Sequence, residues 1–190
     1  MIENDLDKAY EIINNLSLAF PCGFVAGGFA LDTWKKTIPK DIDFYIPTLR
    51  FNKTEDTRNI CEIINESFPS FSVQWEKINR KGDYSNERID SIKDLTINGW
   101  KVQIIQWNII LKDFNGDLFF NDVLSHFAVS TTCIGYYHGI YLTHERFLNS
   151  ILNKEISVNP KFFGRSNFSA NLEHIQKQQS KFPQFKLIWE

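Results

Sequence analysis

Apolar residues recur at three- to four-residue spacing along the first twenty residues, which is the pattern of an amphipathic helix. Pro21 ends this helix, because proline cannot continue its backbone hydrogen bonds. A short apolar run follows at 23–26, then a glycine pair, and a second helix is predicted over 29–36. Residues 41–46 alternate between polar and apolar side chains up to Pro47, which predicts a half-buried strand. The first quarter of the chain therefore predicts helix, strand, turn, helix and strand.

Helical and strand patterns also alternate along the rest of the chain. Asn98-Gly99 separates two strand patterns, 88–97 and 100–107. Because Asn-Gly is the preferred pair for a tight hairpin turn, these two strands are expected to pair antiparallel. The other predicted elements are helices at 55–68, 117–125, 143–152 and 167–179, strands at 71–78 and 130–132, and a polar loop at 79–86.

Composition places the chain among folded proteins and restricts its partners. It has 190 residues, of which 43% are hydrophobic, so one compact domain with a real core is expected and general disorder is excluded. A net charge of −2 excludes a protein held to nucleic acid by bulk positive charge, although a local basic groove remains compatible with it.

The cysteines and the apolar runs indicate a cytoplasmic protein. The three cysteines are an odd number and form no CxxC pair, which favours a reducing compartment without a structural zinc site. No run approaches 18 apolar residues and the N-terminus is acidic, so we expect no membrane partner and no signal peptide.

Candidate chemistry is concentrated in a glycine pair and an acidic strand. Gly27 and Gly28 stand between a predicted strand and helix, where the backbone can approach a ligand and helix N–H groups can receive phosphate oxygens. After twelve intervening residues, Asp41 and Asp43 share one face of a strand. Two adjacent carboxylates repel each other unless a cation lies between them, and Mg²⁺ suits such oxygen ligands. A glycine pair alone is commonly a tight turn, and two aspartates alone are commonly a solvated strand face. Their combination in this order indicates a binding site for a metal ion and phosphate.

This arrangement resembles the signature of the DNA polymerase β-like nucleotidyltransferase superfamily, a glycine pair at a helix start followed by a DxD or DxE strand. The resemblance covers residues 20–46, and the strand from Lys101 resembles a later core strand more weakly. It implies an α+β fold, a nucleotidyltransferase-like mixed β-sheet flanked by helices, within a single domain over 1–190. In that domain 20–110 would be the nucleotidyltransferase-like core and 111–190 a mostly helical C-terminal extension.

The resemblance implies transfer of a nucleoside monophosphate from a nucleoside triphosphate to a hydroxyl of RNA, protein or a small molecule. The cofactor would be Mg²⁺ or Mn²⁺, held by Asp41 and Asp43 as catalytic and metal ligands, and Gly27 and Gly28 would bind the triphosphate. We also assign nucleotide-binding roles to residues near the expected site: Lys40, Lys101 and Gln103.

Active members of the superfamily add a third carboxylate from the later strand, and here that strand offers only Gln103 and Gln106. Alternation of side chains allows only one of these glutamines to face the site, and we favour Gln103. Asp90 and Asp94, in the preceding strand, are the nearest substitutes. We take Asp94 as the candidate third catalytic residue.

Two other classes of function compete with an enzyme. A non-catalytic descendant of the same fold would act as a binding or antitoxin-like protein, and the missing carboxylate is the feature that separates it from an enzyme. An unrelated interaction module would carry the glycines and aspartates by coincidence.

Asp32 is either a surface charge or a residue that orients the nucleotide loop. Basic and aromatic residues alternate in the C-terminal third, which suits contacts with an RNA acceptor although many of the phenylalanines are expected in the core.

Overall fold

A computed structural model of the chain describes residues 2–48, 60–78, 88–109, 116–162 and 168–190. The helices in these ranges are α1 (Ile2–Ala19), α2 (Gly28–Trp34), α3 (Ile60–Ser67), α4 (Gly116–Ser125), α5 (Glu145–Asn153) and α6 (Phe168–Lys181). The strands are β1 (Phe24–Ala26), β2 (Asp41–Thr48), β3 (Val73–Ile78), β4 (Ile89–Ile97), β5 (Trp100–Asn108), β6 (Ile134–Tyr137), β7 (Ile140–Thr143), β8 (Glu155–Val158) and β9 (Lys186–Trp189). Short 3₁₀ helices lie at Ser130–Thr132 and Pro160–Phe162.

One mixed sheet organises the molecule. Its strands run in the order β3-β4-β5-β2-β1-β6-β7, and β2 pairs with β5 in parallel while the other neighbouring pairs are antiparallel. Strands β8 and β9 form a separate parallel pair. The predicted α+β fold with a mixed sheet and flanking helices is confirmed. Strands β6 and β7, from the part of the chain after residue 110, extend this sheet beside β1.

The Asn98-Gly99 turn closes the predicted hairpin. Asn98 has φ 48° and Gly99 has φ 86°, the positive values that a two-residue hairpin turn of the favoured hand requires. Strands β4 and β5 pair antiparallel from Ile97 opposite Trp100. The hairpin prediction is confirmed.

Helices cover the two faces of the sheet unequally. On one face, α1 and α3 pack against the apolar side chains of β2, among them Ile42 and Phe44. On the other face, α4 packs through Phe119 and Val123 against Tyr45 and its neighbours. Period-two alternation along β2 therefore directs Ile42 and Phe44 to a different layer from Asp41, Asp43 and Tyr45.

Two sequence predictions differ from the structure. Strand β2 continues through Pro47, because the short β1 pairs only with residues nearer the start of β2 and the missing N–H of Pro47 breaks no β1 bond. Ser130–Thr132 forms a 3₁₀ helix and not a strand, since the Thr132 N–H and hydroxyl both bond to the Val129 carbonyl. The predicted helix at 55–68 begins at Ile60 in the described part, and 55–59 and the loop at 79–86 lie outside the described residues.

Candidate functional site

Asp41 and Asp43 lie on one face of β2, both partly exposed, while Ile42 and Phe44 between and after them are fully buried on the other. Strand alternation alone produces this arrangement, because the two apolar residues are held in the layer beneath α1 and α3. The predicted pair of carboxylates on a common face is therefore present.

A polar row crosses the sheet at the level of Asp43. In the strand register, Gln103 of β5 lies beside Asp43, and Asp94 of β4 lies opposite Gln103. The Gln103 Nε2 amide donates a hydrogen bond of 2.6 Å to Asp94 Oδ1. Gln106, in contrast, accepts a hydrogen bond from the Ser91 hydroxyl. Gln103 is thus the glutamine that shares the row with Asp43.

Asp94 and Asp90 occupy different places in β4. The pairing of β4 with β5 shifts between Ile89 and Ser91, so Asp90 lies at a β-bulge, four residues along the strand from Asp94. Asp94 is close enough to Asp43 to raise the pKa of that carboxyl, in the same direction as Asp41 does. Of the two substitutes considered for the third carboxylate, the structure therefore brings Asp94 to the row.

The glycine pair adjoins the aspartates because β1 runs antiparallel to β2. Gly27 follows β1 with φ 73° and ψ −123°, a conformation that is open essentially to glycine alone. Gly28 begins α2, and a Cβ atom built on it would lie 3.9 Å from Asp41 Oδ1. The backbone at Gly28 consequently borders the Asp41 carboxylate, as the sequence motif predicts.

The two predicted nucleotide-binding lysines lie at the same end of the parallel strands. Lys101 is exposed and is the register partner of Asp41 on β5. Lys40 is exposed and immediately precedes β2. Both contribute positive charge to the edge of the sheet where β2 and β5 begin.

Helix α6 adds cations that sequence reasoning did not connect to this site. Lys181 Nζ forms an ion pair with Asp32 Oδ1, and Asp32 is 7% exposed. Asp32 is therefore not a free surface charge, and its ion pair with Lys181 joins α6 to α2. One helical turn earlier, Lys177 carries a positive charge that partly opposes the rise in the pKa of Asp43, which is caused mainly by burial. The four-residue spacing of the two lysines places them on one face of a helix, but nothing in the sequence identifies the strand that this face approaches.

The Asp43 carboxyl is the most perturbed group of the row. Burial, with the charges of Asp41 and Asp94, raises its pKa from 3.8 to about 7, and Lys177 opposes that rise. A cation between two neighbouring carboxyl groups stabilises their ionised forms, which otherwise repel each other. The two carboxylates together fit Mg²⁺, which takes oxygen ligands and keeps several sites for water and phosphate.

Across the described ranges, no cluster of three or more His, Cys, Asp or Glu side chains is arranged to hold a metal ion. A cation bound between Asp41 and Asp43 would take its remaining ligands from water and substrate. No helix in the described part of the chain is long and apolar enough to cross a membrane.

Replacing Asp43 by Asn is expected to stabilise the metal-free protein at neutral and higher pH. The raised pKa means that the folded state loses stability as pH rises from about 4 to about 7, because the unfolded carboxyl ionises first. The difference in unfolding free energy between Asp43→Asn and wild type should therefore grow over this range and level off above it, reaching roughly 1–3 kcal/mol. Urea unfolding with a chelator present, at several pH values, measures it. A difference that does not change with pH would contradict the assigned environment of Asp43.

Comparisons with known proteins support the fold. No protein-family model and no curated protein sequence matches the chain. Among solved structures, a tRNA-processing enzyme in an apo form is 13% identical with a TM-score of 0.55, and the match covers 99% of this chain and 45% of that one. The same kind of enzyme with CTP is 13% identical with a TM-score of 0.53, over 87% of this chain and 40% of that one.

The CCA-adding enzyme of Thermotoga maritima, complexed with tRNA, is 12% identical with a TM-score of 0.52, over 87% of this chain and 35% of that one. The chain thus spans less than half the length of these structures. These neighbours are tRNA nucleotidyltransferases, which belong to the superfamily that the glycine and DxD pattern resembles. The chain therefore has the nucleotidyltransferase-like fold.

Proposed function

We propose that this protein is a Mg²⁺-dependent nucleotidyltransferase that moves a nucleoside monophosphate from a nucleoside triphosphate to a hydroxyl at the end of an RNA. The observation that carries the proposal is the pair Asp41 and Asp43, on one face of β2, with the backbone of Gly28 beside Asp41. Structures with the same fold have been solved with CTP and with tRNA, which favours an RNA acceptor over a protein or a small molecule.

Each residue at the site has a proposed task. Asp41 and Asp43 hold the divalent cation, and Mn²⁺ is expected to replace Mg²⁺ because both accept oxygen ligands. When bound, this cation supplies charge neutralisation for the triphosphate and polarises the phosphate under attack. Gly28 leaves room at Asp41 for the triphosphate, and Gly27 holds the turn that brings the start of α2 there. Lys101 attracts the triphosphate to the start of β5.

The transfer exchanges a phosphoanhydride bond of the triphosphate for a phosphodiester bond to the acceptor. The acceptor hydroxyl oxygen bonds to the α-phosphorus while the bond from that phosphorus to the bridging oxygen of the β-phosphate breaks. Pyrophosphate leaves with the electron pair of the broken bond, and the hydroxyl proton passes to the Asp94 carboxylate. Gln103 positions Asp94 by donating to its Oδ1 atom. The third carboxylate of the site would thus come from β4, with a neutral amide between it and Asp43.

Incubation of the full chain with nucleoside triphosphates labelled at the α-phosphate, Mg²⁺ or Mn²⁺, and transfer RNA is expected to move label to the RNA. The double variant Asp41→Asn/Asp43→Asn should abolish transfer, since it removes both cation ligands. Asp117→Asn removes an exposed carboxylate from the first turn of α4 and should leave transfer unchanged.

Label on protein and not on RNA would contradict the proposed acceptor. Metal-dependent nucleotide binding without transfer to any macromolecule would contradict catalysis and support a non-catalytic, antitoxin-like protein. Full transfer by the double variant would show that the site lies elsewhere.

Asp94→Asn is expected to lower transfer by about 10²-fold or more, the usual effect of removing a group that accepts a proton. Nucleotide affinity should change little, because Asp94 is not a proposed ligand of the cation. Gln103→Leu, which removes the hydrogen bond to Asp94, should lower transfer by a smaller factor. Gln106→Leu on the same strand is the matched control and should leave transfer per folded molecule unchanged. Single-turnover rates and nucleotide dissociation constants measure the two effects separately, and an unchanged rate in Asp94→Asn would exclude its role.

A further inference from the structure

The aromatic ring of Phe127 lies beside the glycine pair. A Cβ atom built on Gly27 would lie 3.7 Å from both Cε1 and Cζ of this ring. The corresponding atom on Gly28 would lie 3.9 Å from Asp41 Oδ1. The Phe127 ring and the Asp41 carboxylate therefore border the same short stretch of backbone, the one to which we assign the triphosphate.

Phe127 also lies on the carboxylate face of the sheet. Its ring packs edge-to-face against the ring of Tyr45, and the two ring centres are 5.9 Å apart. Tyr45 shares a face of β2 with Asp41 and Asp43, because side chains two residues apart in a strand point the same way. Contacts with both Gly27 and Tyr45 thus place the ring beside β1 and β2, on the face that carries the two aspartates.

The backbone at Phe127 is fixed by Arg146. The guanidinium donates from Nη1 to the Phe127 carbonyl oxygen at 2.6 Å and from Nη2 to the Ala128 carbonyl oxygen at 3.4 Å. Arg146 is itself held by an ion pair of 3.2 Å with Glu190, and its side chain is 14% exposed. Because the segment is already anchored, a ligand that packs against the ring would lose little affinity to the ordering of that segment.

Part of the Phe127 side chain is left uncovered by the core. Phe127 packs at the edges of two hydrophobic clusters, one that contains Tyr45 and one that contains Val129, and it is partly buried. A partly exposed ring next to a polar site offers a flat apolar surface without hydrogen-bonding groups. In a nucleoside triphosphate the base is the part with a flat aromatic face, and such faces stack on aromatic side chains.

We propose that Phe127 stacks against the base of the nucleoside triphosphate held at the glycine pair and the two aspartates. This inference rests on the proposed function. The contact would distinguish nucleotides from inorganic tripolyphosphate, which has no base. It would accept all four bases, because a phenylalanine ring reads none of their edges, but a purine would gain more than a pyrimidine because it stacks over a larger area.

Equilibrium binding of non-hydrolysable ATP and CTP analogues and of tripolyphosphate, each with Mg²⁺ and the full chain, tests this contact. Phe127→Leu keeps an apolar side chain but removes the ring. It is expected to weaken binding of the ATP analogue about tenfold and of the CTP analogue by a smaller factor, with tripolyphosphate unchanged.

Two further variants serve as controls. Phe127→Tyr keeps the ring and should bind both analogues nearly as tightly as wild type. Phe120→Leu removes another partly buried ring, one that packs against Phe24 and Tyr137, and should change none of the three constants.

A measurement on the wild-type chain makes the test independent of how the variants fold. With isotope-labelled phenylalanine, nuclear Overhauser effects are expected between the base protons of the bound ATP analogue and the ring protons of Phe127. Such effects from the base to other side chains, with none to Phe127, would overturn the proposal.

The remaining outcomes separate the two proposals. If Phe127→Leu binds the ATP analogue as tightly as wild type while Asp41→Asn/Asp43→Asn does not bind it, Phe127 has no such role and the proposed function stands. Equal weakening of the ATP analogue and tripolyphosphate by Phe127→Leu would mean that the ring only supports the glycine turn, and also overturns the stacking contact. Absence of metal-dependent triphosphate binding by the wild-type chain would overturn the inference and the proposed function together.

Discussion

The parallel pairing of β2 with β5 is the contact on which the rest of the site depends. Its register runs without a shift from Asp41 beside Lys101 to Thr48 beside Asn108. This register places Gln103 next to Asp43, and the hairpin then places Asp94 next to Gln103. A slip of one residue in β2 would send both aspartates into the apolar layer beneath α1, so burial of Ile42 and Phe44 is also what keeps the carboxylates on the open face.

The part of the site that is contiguous in sequence could be predicted from local patterns. Glycines between a strand and a helix, and alternation along the next strand, are short-range features with a definite geometry. The structure accordingly places Gly28 beside Asp41 and both aspartates on one face. The limit of such patterns is visible at Ser130–Thr132, where a local β preference gives way to a turn closed by hydrogen bonds to Val129.

The same local patterns could not predict contacts between segments that are distant in sequence. Alternation predicted that one glutamine of β5 faces the site, but it left Asp90 and Asp94 as alternatives, because a bulge in β4 has no clear sequence signal. The packing of α6 against α2 was even less predictable from local patterns. The Asp32–Lys181 ion pair joins residues 149 positions apart, and no periodicity in either helix identifies the other as its partner. The lysines of α6 could therefore be connected to α2 only in the folded chain.

Paramagnetic broadening by Mn²⁺ tests the central claim, that Asp41 and Asp43 hold a divalent cation beside Gly28. In spectra of the ¹⁵N-labelled chain with a non-hydrolysable triphosphate, substoichiometric Mn²⁺ should broaden most strongly the amide signals of residues 27–28 and 41–43, then those of Gln103 and Asp94. The same titration of Asp41→Asn/Asp43→Asn should leave these signals sharp. Broadening centred on another part of the chain, or equal broadening in the double variant, would contradict the account.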